Sequence, residues 1–222
     1  MKTPQSAFDL LFSIVVISAN VTVQNITASI SIPALTGTTS VMTVNGWIIF
    51  QQRLDNTTVF DRNWTDYRDG FGSLGCNYWM GNEKVHLLTQ AGTTYRLRIE
   101  MLFSNGWMSA EYDQFSLDNE TGLYRLHVAG YSNGECGDSL DYAGGGDAWY
   151  HNGMPFTTYD NDNDMGNGNC AASYHAGWWY NYCYYALLHS DGPAFIGWWT
   201  ASGSPIVTIS RMMMKPASPF SP

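Results

Sequence analysis

The chain has 222 residues, a formal net charge of −9 and only 13% charged residues. This length fits one domain, its acidic balance argues against nucleic-acid binding, and its low charge content argues against intrinsic disorder and coiled coils. A content of 15% aromatic residues together with 22 glycines is typical of a loop-rich globular fold.

The first part of the chain differs in composition from the rest. Lys2 precedes an apolar run over 10–17 that ends near Ala19, a pattern similar to a short signal peptide, so residues 1–19 are a candidate leader. A buried strand or a misplaced start codon are the alternatives, and the run is shorter than the roughly 20 apolar residues that span a bilayer. Residues 20–41, rich in Thr, Ser, Val and Ile, predict a linker or an N-terminal strand region.

Further elements follow in chain order. Alternating or β-branched runs predict strands over 47–54, 95–101, 124–128 and 207–212. Polar starts and glycine stops predict short helices over 63–70 and 82–90, while 144–168 is a Gly/Asp/Asn-rich loop and 217–222 is a tail. Few helices and strands separated by hairpin-length gaps predict an α+β fold with an antiparallel sheet.

Cysteines and sequons indicate the compartment. The four cysteines, an even number, suit two disulfides, although spacing alone leaves metal binding open; they are Cys76, Cys136, Cys170 and Cys183. Five N-x-S/T triplets exceed the two or three expected by chance and favour a secreted glycoprotein; they begin at Asn20, Asn25, Asn56, Asn63 and Asn119. We expect glycosylation at the last three of these.

An acidic loop over 160–168 carries the most specific chemistry. Asp recurs at every second position from Asp160 to Asp164, and two glycines follow that can turn their carbonyls inward. Ca²⁺ needs six to eight oxygen ligands, and the loop offers such a set more readily than it offers an octahedral Mg²⁺ site. An EF-hand is excluded because its glycine and its final Glu are absent from the required positions. The alternative is a solvated turn without metal.

The segment after the loop, 174–180, is rich in aromatic residues. Trp178 and Trp179 cannot both face inward on a regular strand, although one of them can. The segment therefore predicts either ordinary core or an aromatic pocket.

Several ordered stretches resemble the fibrinogen C-terminal (fibrinogen-related) domain family. The matching stretches are 46–53, 64–72, 78–89, 137–140, 152–164, 169–171 and 177–183. The resemblance covers about 42–216 and includes ficolin-, tachylectin-, angiopoietin- and tenascin-like members. It implies a globular domain with a central antiparallel sheet, few short helices and a loop-rich calcium and ligand subdomain.

The resemblance also implies a calcium site. Its ligands would be the side chains of Asp162 and Asp164 and the backbone carbonyls of Gly166 and Gly168, with Asp160 as a structural acid. Ca²⁺ is therefore the expected cofactor.

A ligand pocket is implied beside a Cys170–Cys183 disulfide. It would include Tyr174, Tyr182, Cys183 and Tyr184, where Tyr184 replaces the His of lectin-like members. The bond between Tyr182 and Cys183 is often cis in those members. The following loop, 187–199, is shorter than usual, and Ala194 or Phe195 would occupy the place of a further pocket residue.

A second disulfide is expected between Cys76 and Cys136. The family commonly has a Cys just before the Gly46–Trp47 motif; this chain lacks one there and has these two instead. Two unpaired, buried thiols are the alternative.

These features predict a secreted, calcium-binding recognition module for acetylated sugars or microbial surface glycans. The alternative is a protein-binding matrix or receptor-ligand module of the same fold, which Tyr184 and the short loop favour. The partners would be glycans or extracellular proteins, with no membrane span. No enzyme is expected, because none of the five histidines lies in a nucleophile or zinc motif. His151 and His175 flank the acidic loop and could also serve as metal ligands.

Overall fold

A computed structural model describes residues 25–32, 34–90, 92–141, 150–192, 196–201 and 205–217. The predicted leader 1–19, Asn20 and nearly all of the tail lie outside the described residues. None of the described helices is both long enough and apolar enough to cross a membrane.

Strands dominate the described part of the chain. They are β1 Asn25–Ile30, β2 Thr39–Val44, β3 Trp47–Arg53, β4 Phe71–Gly72, β5 Tyr78–Trp79, β6 Tyr95–Phe103, β7 Gly106–Leu117, β8 Leu126–Gly134, β9 Ala186–Leu187, β10 Gly197–Trp198 and β11 Ile209–Pro216. The helices are α1 Trp64–Asp69, α2 Asn82–Thr89 and α3 Cys170–Tyr174, with a 3-10 turn at Glu120–Gly122. The prediction of an antiparallel sheet with few short helices is confirmed.

One large antiparallel sheet organises the molecule. Its main path runs β1-β2-β3-β11-β6-β7-β8, and β4 and β5 form a short extension attached to β3. The last strand, β11, lies in the middle, where Ser210 is opposite Arg53 of β3 and Met212 is opposite Ile99 of β6. The last strand of the described chain therefore pairs with β3 on one side and with β6 on the other.

The burial of β6 shows why the sheet has one core face. Every second residue from Tyr95 to Phe103 is buried, and the residues between them are only partly covered. This period of two places the apolar side chains on one face. A two-residue turn then leads from Phe103 to Gly106 of β7.

Close backbone contact between α1 and the start of α2 requires two glycines. Asn63 caps α1 by accepting a hydrogen bond from the Asp66 N–H at 2.8 Å. At the other end of α1, a Cβ on Gly70 would lie 2.3 Å from the Met80 carbonyl oxygen, and a Cβ on Gly81 would lie 2.7 Å from the Arg68 carbonyl oxygen. Only glycine allows these segments to approach so closely.

The core beneath the sheet is rich in aromatic rings. The Phe156 ring centroid lies 5.1 Å from that of Tyr67 and 5.1 Å from that of Trp179. Trp178 and Trp179 are both fully buried, which a regular strand with one core face would not allow. They do not belong to a regular strand, because Trp178 makes only an isolated bridge with Thr157.

Candidate functional site

The acidic loop begins with a carboxylate that has a structural task. Asp160 accepts a hydrogen bond from the backbone N–H of Trp64 at 2.9 Å and another from the Thr158 hydroxyl at 2.7 Å. It therefore ties the loop to the first residue of α1, which is the structural position expected for it.

Asp164 organises the rest of the loop. Its Oδ1 accepts from the Gly166 N–H at 2.7 Å and its Oδ2 accepts from the Cys170 N–H at 2.8 Å. Burial raises the pKa of Asp164, and so does the nearby Asp162 carboxylate, while the two backbone hydrogen bonds oppose that rise. Asp162 itself is exposed. Two neighbouring carboxylates, one of them half-buried, leave negative charge that a cation could neutralise.

Oxygen atoms converge at Gly166. A Cβ at this position would lie 3.1 Å from Asp164 Oδ1 and 3.3 Å from the Gly168 carbonyl oxygen. The missing side chain therefore keeps open a small space between a carboxylate and a backbone carbonyl. Among the described residues no cluster of three or more His, Cys, Asp or Glu side chains could hold a metal ion. Any cation here would depend on carbonyl and water oxygens as well as on the two Asp residues.

The Cys170–Cys183 disulfide is present, with its Cα atoms 5.4 Å apart. Cys170 begins α3, which Asn169 caps by accepting from the Ala172 N–H at 2.7 Å. The peptide bond between Tyr182 and Cys183, often cis in lectin-like members, is trans here, and the described residues contain no cis peptide bond. Cys183 instead has a left-handed φ of +76°, which turns the chain after Tyr182.

Aromatic rings meet beside this disulfide. The Tyr184 ring lies edge-on to the Tyr174 ring at 4.9 Å between centroids, and it lies 5.9 Å from the Trp199 ring. The structure thus brings together three of the residues expected to bind ligand, Tyr174, Cys183 and Tyr184, while the Tyr182 side chain is half exposed. Ala194 and Phe195 lie outside the described residues. We name the arrangement of Tyr174, Tyr184 and Trp199 the aromatic cleft.

Trp199 was not among the expected site residues. It precedes Thr200 in a turn after the short strand β10, and its backbone N–H donates to the Tyr185 carbonyl oxygen at 3.0 Å. The loop 187–199 is shorter than in the family pattern, so the position of a Trp within it did not indicate a role in the site.

His151 supports the cleft from beneath. Its Nδ1 donates to the Trp179 carbonyl oxygen at 2.7 Å, and its Nε2 accepts from the N–H groups of Tyr185 and Ala186 at 3.0 and 2.9 Å. Complete burial lowers the pKa of His151 to about 4, so the imidazole is neutral at physiological pH. It fixes the chain immediately after Tyr184, which is a different role from the metal binding considered for it.

His175 ends α3. It has a left-handed φ of +52°, and its Nδ1 lies 2.8 Å from Asp61 Oδ2. This contact holds the residue after Tyr174 to the loop before α1.

Comparison with known proteins identifies the fold. The family model described as "Fibrinogen beta and gamma chains, C-terminal globular domain" matches residues 38–207. The chain belongs to this fibrinogen C-terminal domain family. Its members are non-enzymatic binding modules, so the prediction that the chain is not an enzyme is confirmed.

Relatives and solved structures agree with this assignment. The human fibrinogen gamma chain is 43% identical over 157 residues, which are 65% of this chain and 35% of that one. The fibrinogen-like globe domain of human ANGPTL2 superposes with a TM-score of 0.76 at 31% identity, covering 87% of this chain and 93% of that one. Lamprey fibrin D-dimer in complex with the peptide Gly-His-Arg-Pro-amide superposes with a TM-score of 0.73 at 31% identity, covering 84% of this chain and 69% of that one. The chain thus spans about a third of the length of the fibrinogen gamma chain.

The expected Cys76–Cys136 disulfide is absent from this fibrinogen C-terminal domain. Cys76 is exposed in the turn before β5, and Cys136 is buried after β8, where its Sγ donates to the Ser109 carbonyl oxygen at 3.2 Å. Burial raises the pKa of the Cys136 thiol to about 12. The turn of Cys76 adjoins β3 and Ser109 belongs to β7, with β11 and β6 between them. Three strand spacings are about 14 Å, well beyond the reach of a disulfide.

The expected glycosylation sites occupy different environments in the domain. Asn56 and Asn119 are exposed, and Asn63 is half-buried. Asn63 and Asn119 each cap a helical turn through their amide oxygens.

Proposed function

We propose that this fibrinogen C-terminal domain is a secreted, calcium-stabilised recognition module that binds an acetylated sugar in the aromatic cleft. The observation that carries the proposal is the meeting of Tyr174, Tyr184 and Trp199 beside the Cys170–Cys183 disulfide. Aromatic rings offer apolar faces to a methyl group or to the C–H face of a sugar, and a few polar groups then set orientation.

Calcium would be held by the carboxylates of Asp162 and Asp164 and by the carbonyls of Gly166 and Gly168. The half-buried Asp164, the nearby charge of Asp162 and the oxygens that converge at Gly166 all fit this ion. When bound, it would supply the positive charge that the loop lacks. Because Asp164 also accepts from the N–H of Cys170, a fixed loop would hold the start of α3 and thereby Tyr174.

A peptide or protein ligand is the second candidate. Its specific support is the position of Tyr184, whose ring packs against Tyr174 and narrows the space left for a small acetyl group. The lamprey fibrin neighbour is a complex with a short peptide. A half-exposed Tyr182 beside the cleft would suit a larger surface contact.

Secretion is supported by the disulfide and by the sequons. A disulfide persists in an oxidising compartment, and the exposed Asn119 is open to glycan attachment. Asn63 can carry a glycan on Nδ2 while its Oδ1 continues to cap α1.

Thermal melts test the proposal. The chain is heated in Ca²⁺ or EDTA, with and without millimolar N-acetylglucosamine, and in parallel with Gly-His-Arg-Pro-amide. We expect Ca²⁺ to raise the Tm, since a ligand at a hundredfold excess over its Kd adds about 2.7 kcal/mol of stability. Asp164→Asn should abolish this shift. Asp118→Asn, which removes a carboxylate immediately after β7, should keep it.

The cleft is tested by the response to the two ligands. A further shift with N-acetylglucosamine that is lost in Tyr174→Ala and kept in Trp107→Ala supports the acetyl ligand; Trp107 is an exposed aromatic residue of β7. A shift with the peptide alone favours the second candidate. If Ca²⁺ changes nothing, the acidic loop is only a turn and the proposed metal site fails.

A further inference from the structure

A second cleft lies apart from the aromatic cleft. It has a volume of about 680 Å³ between the turn after β3 and the segments that precede β10 and β11. Its described lining includes Arg53, Asn56, Val59, Ser190, Ile196 and Thr208.

One of these lining residues is a sequon asparagine. Asn56 begins the triplet Asn56-Thr57-Thr58, and its side chain is exposed. Its Oδ1 accepts a hydrogen bond from Arg53 Nη2, and Arg53 Nη1 also donates to the Thr208 carbonyl oxygen at 3.1 Å. The amide nitrogen Nδ2, the atom to which an N-linked glycan would be attached, makes no hydrogen bond to any residue in the described part of the chain.

The turn that carries Asn56 is held by side-chain hydrogen bonds on both sides of this residue. Asp55 Oδ1 accepts from the Thr57 N–H at 2.9 Å, from the Thr57 hydroxyl at 2.6 Å and from Asn77 Nδ2 at 2.6 Å. Asn77 is buried, and its Oδ1 accepts from the Leu54 N–H at 2.6 Å. A glycan attached here would leave the protein in a fixed direction, so less entropy is lost when its first sugars contact the surface.

The lining has both kinds of group that a sugar contacts. Val59 is 53% exposed and is the main apolar surface of the cleft, while Ile196 and Val207 line its floor and are themselves buried. Ser190, Thr208 and Arg53 supply polar groups on the same cleft. Apolar side chains pack on the faces of a sugar ring, and polar groups pair with its hydroxyls.

We propose that the N-linked glycan of Asn56 lies in this cleft, with its first sugars covering Val59 and meeting the polar groups around Arg53. The proposal rests on the secretion proposed above. Asn119 provides a contrast, because it lies on the exposed 3-10 turn and does not line this cleft.

The test uses the full chain secreted from eukaryotic cells and the same chain made without glycosylation. Peptide mapping reports occupancy, and peptide N-glycosidase F is applied to the native protein. We expect removal at Asn56 to be several-fold slower than at Asn119, and equally fast after denaturation.

Thr58→Ala isolates the contribution of the glycan, since it destroys the sequon and keeps the Asn56–Arg53 hydrogen bond. In the glycosylated protein this change should lower the Tm by about 2–4 °C, the shift that a modest stability loss gives in a domain of this size. In the unglycosylated protein it should have little effect. The matched control, Thr121→Ala, removes the Asn119 sequon and should give no such difference between the two preparations.

Several outcomes would overturn the proposal. An unmodified Asn56 beside a modified Asn119 would refute it and leave secretion intact, whereas a chain that stays inside the cells without modification at any sequon would refute both. Equal native cleavage rates at the two sites, with equal Tm changes for Thr58→Ala in both preparations, would show a glycan that points into solvent. None of these readouts depends on calcium or on a ligand in the aromatic cleft.

Discussion

The sheet and the loop-rich region around the acidic loop are stabilised by different kinds of hydrogen bond. In the sheet, β11 pairs continuously with β6 from Ile209 to Pro216, so backbone groups satisfy one another whatever the side chains are. In the loop-rich region, side chains take that role: Asn163 Nδ2 donates to the Phe156 carbonyl oxygen at 2.9 Å, and His151 bonds to three backbone groups.

This difference has a consequence for function. Substituting an exposed side chain in a paired strand leaves the backbone hydrogen bonds in place, whereas substituting a bonding side chain in a loop leaves buried backbone groups unsatisfied. The aromatic cleft and the acidic loop both belong to the second region. The proposed recognition site therefore lies where single residues fix the backbone, and the sheet supports it.

The strongest way to separate the two regions is to remove the disulfide. Cys170→Ser with Cys183→Ser should cost roughly 3 kcal/mol in the free energy of unfolding, because a link across 13 residues restricts the unfolded chain. Chemical denaturation measures this cost. Cys76→Ser is the matched control: its thiol is exposed and unpaired, so stability should hardly change. A comparable loss in that control would show that Cys76 does form a disulfide.

Acid should destabilise the protein through its buried histidines. The pKa of His151 is about 4 and that of His189 about 3, because burial disfavours the charged imidazole. Between pH 6.5 and 4 the unfolded chain binds a proton at each imidazole while the folded chain does not, so the free energy of unfolding falls as pH decreases. Each group contributes about 1.4 kcal/mol per pH unit, which is about 2 kcal/mol at pH 5.

His151→Gln tests whether the loop-rich region contributes to the loss of stability in acid. Gln can donate to the Trp179 carbonyl oxygen but does not titrate. The pH dependence of the free energy of unfolding that comes from the two buried histidines should therefore be roughly halved, because only His189 remains. An unaltered slope in His151→Gln would mean that this imidazole is not buried in the neutral form.

The same contrast explains what could be predicted from the sequence. Strand β6 follows a period of two, and α1 follows an Asn cap and a glycine stop, which are local signals. Helix α2 begins after Gly81 without a side-chain cap and ends at Gln90. Strand β7 was not predicted, because a register shift between Glu111 and Tyr112 breaks its alternation. The short helix α3 was missed as well, since five residues carry too little pattern.

Prediction of the site depended on ordered motifs and not on periodicity. The Asp160–Asp164 run and the two cysteines after it could be placed from such motifs, and the structure brings Tyr174 and Tyr184 together beside the disulfide. Trp199 could not be found, and His151 was considered only for metal binding, because contacts between distant loops leave no local pattern. The error over Cys76 and Cys136 has the same origin, since an even count of cysteines says nothing about how many strands separate two of them.

Removal of one hydroxyl group should weaken the contact between α1 and the loop-rich region. The hydroxyl of the fully buried Tyr67 in α1 donates to the Phe60 carbonyl oxygen at 2.7 Å and accepts from the Gly177 N–H at 3.0 Å. Tyr67→Phe should cost about 1.5 kcal/mol, because it leaves a buried N–H without a partner. Tyr78→Phe is the control, as that hydroxyl makes no hydrogen bond to other residues in the described ranges. If the two changes cost the same in chemical denaturation, the packing of Tyr67 and not its hydroxyl joins α1 to the segment before Trp178.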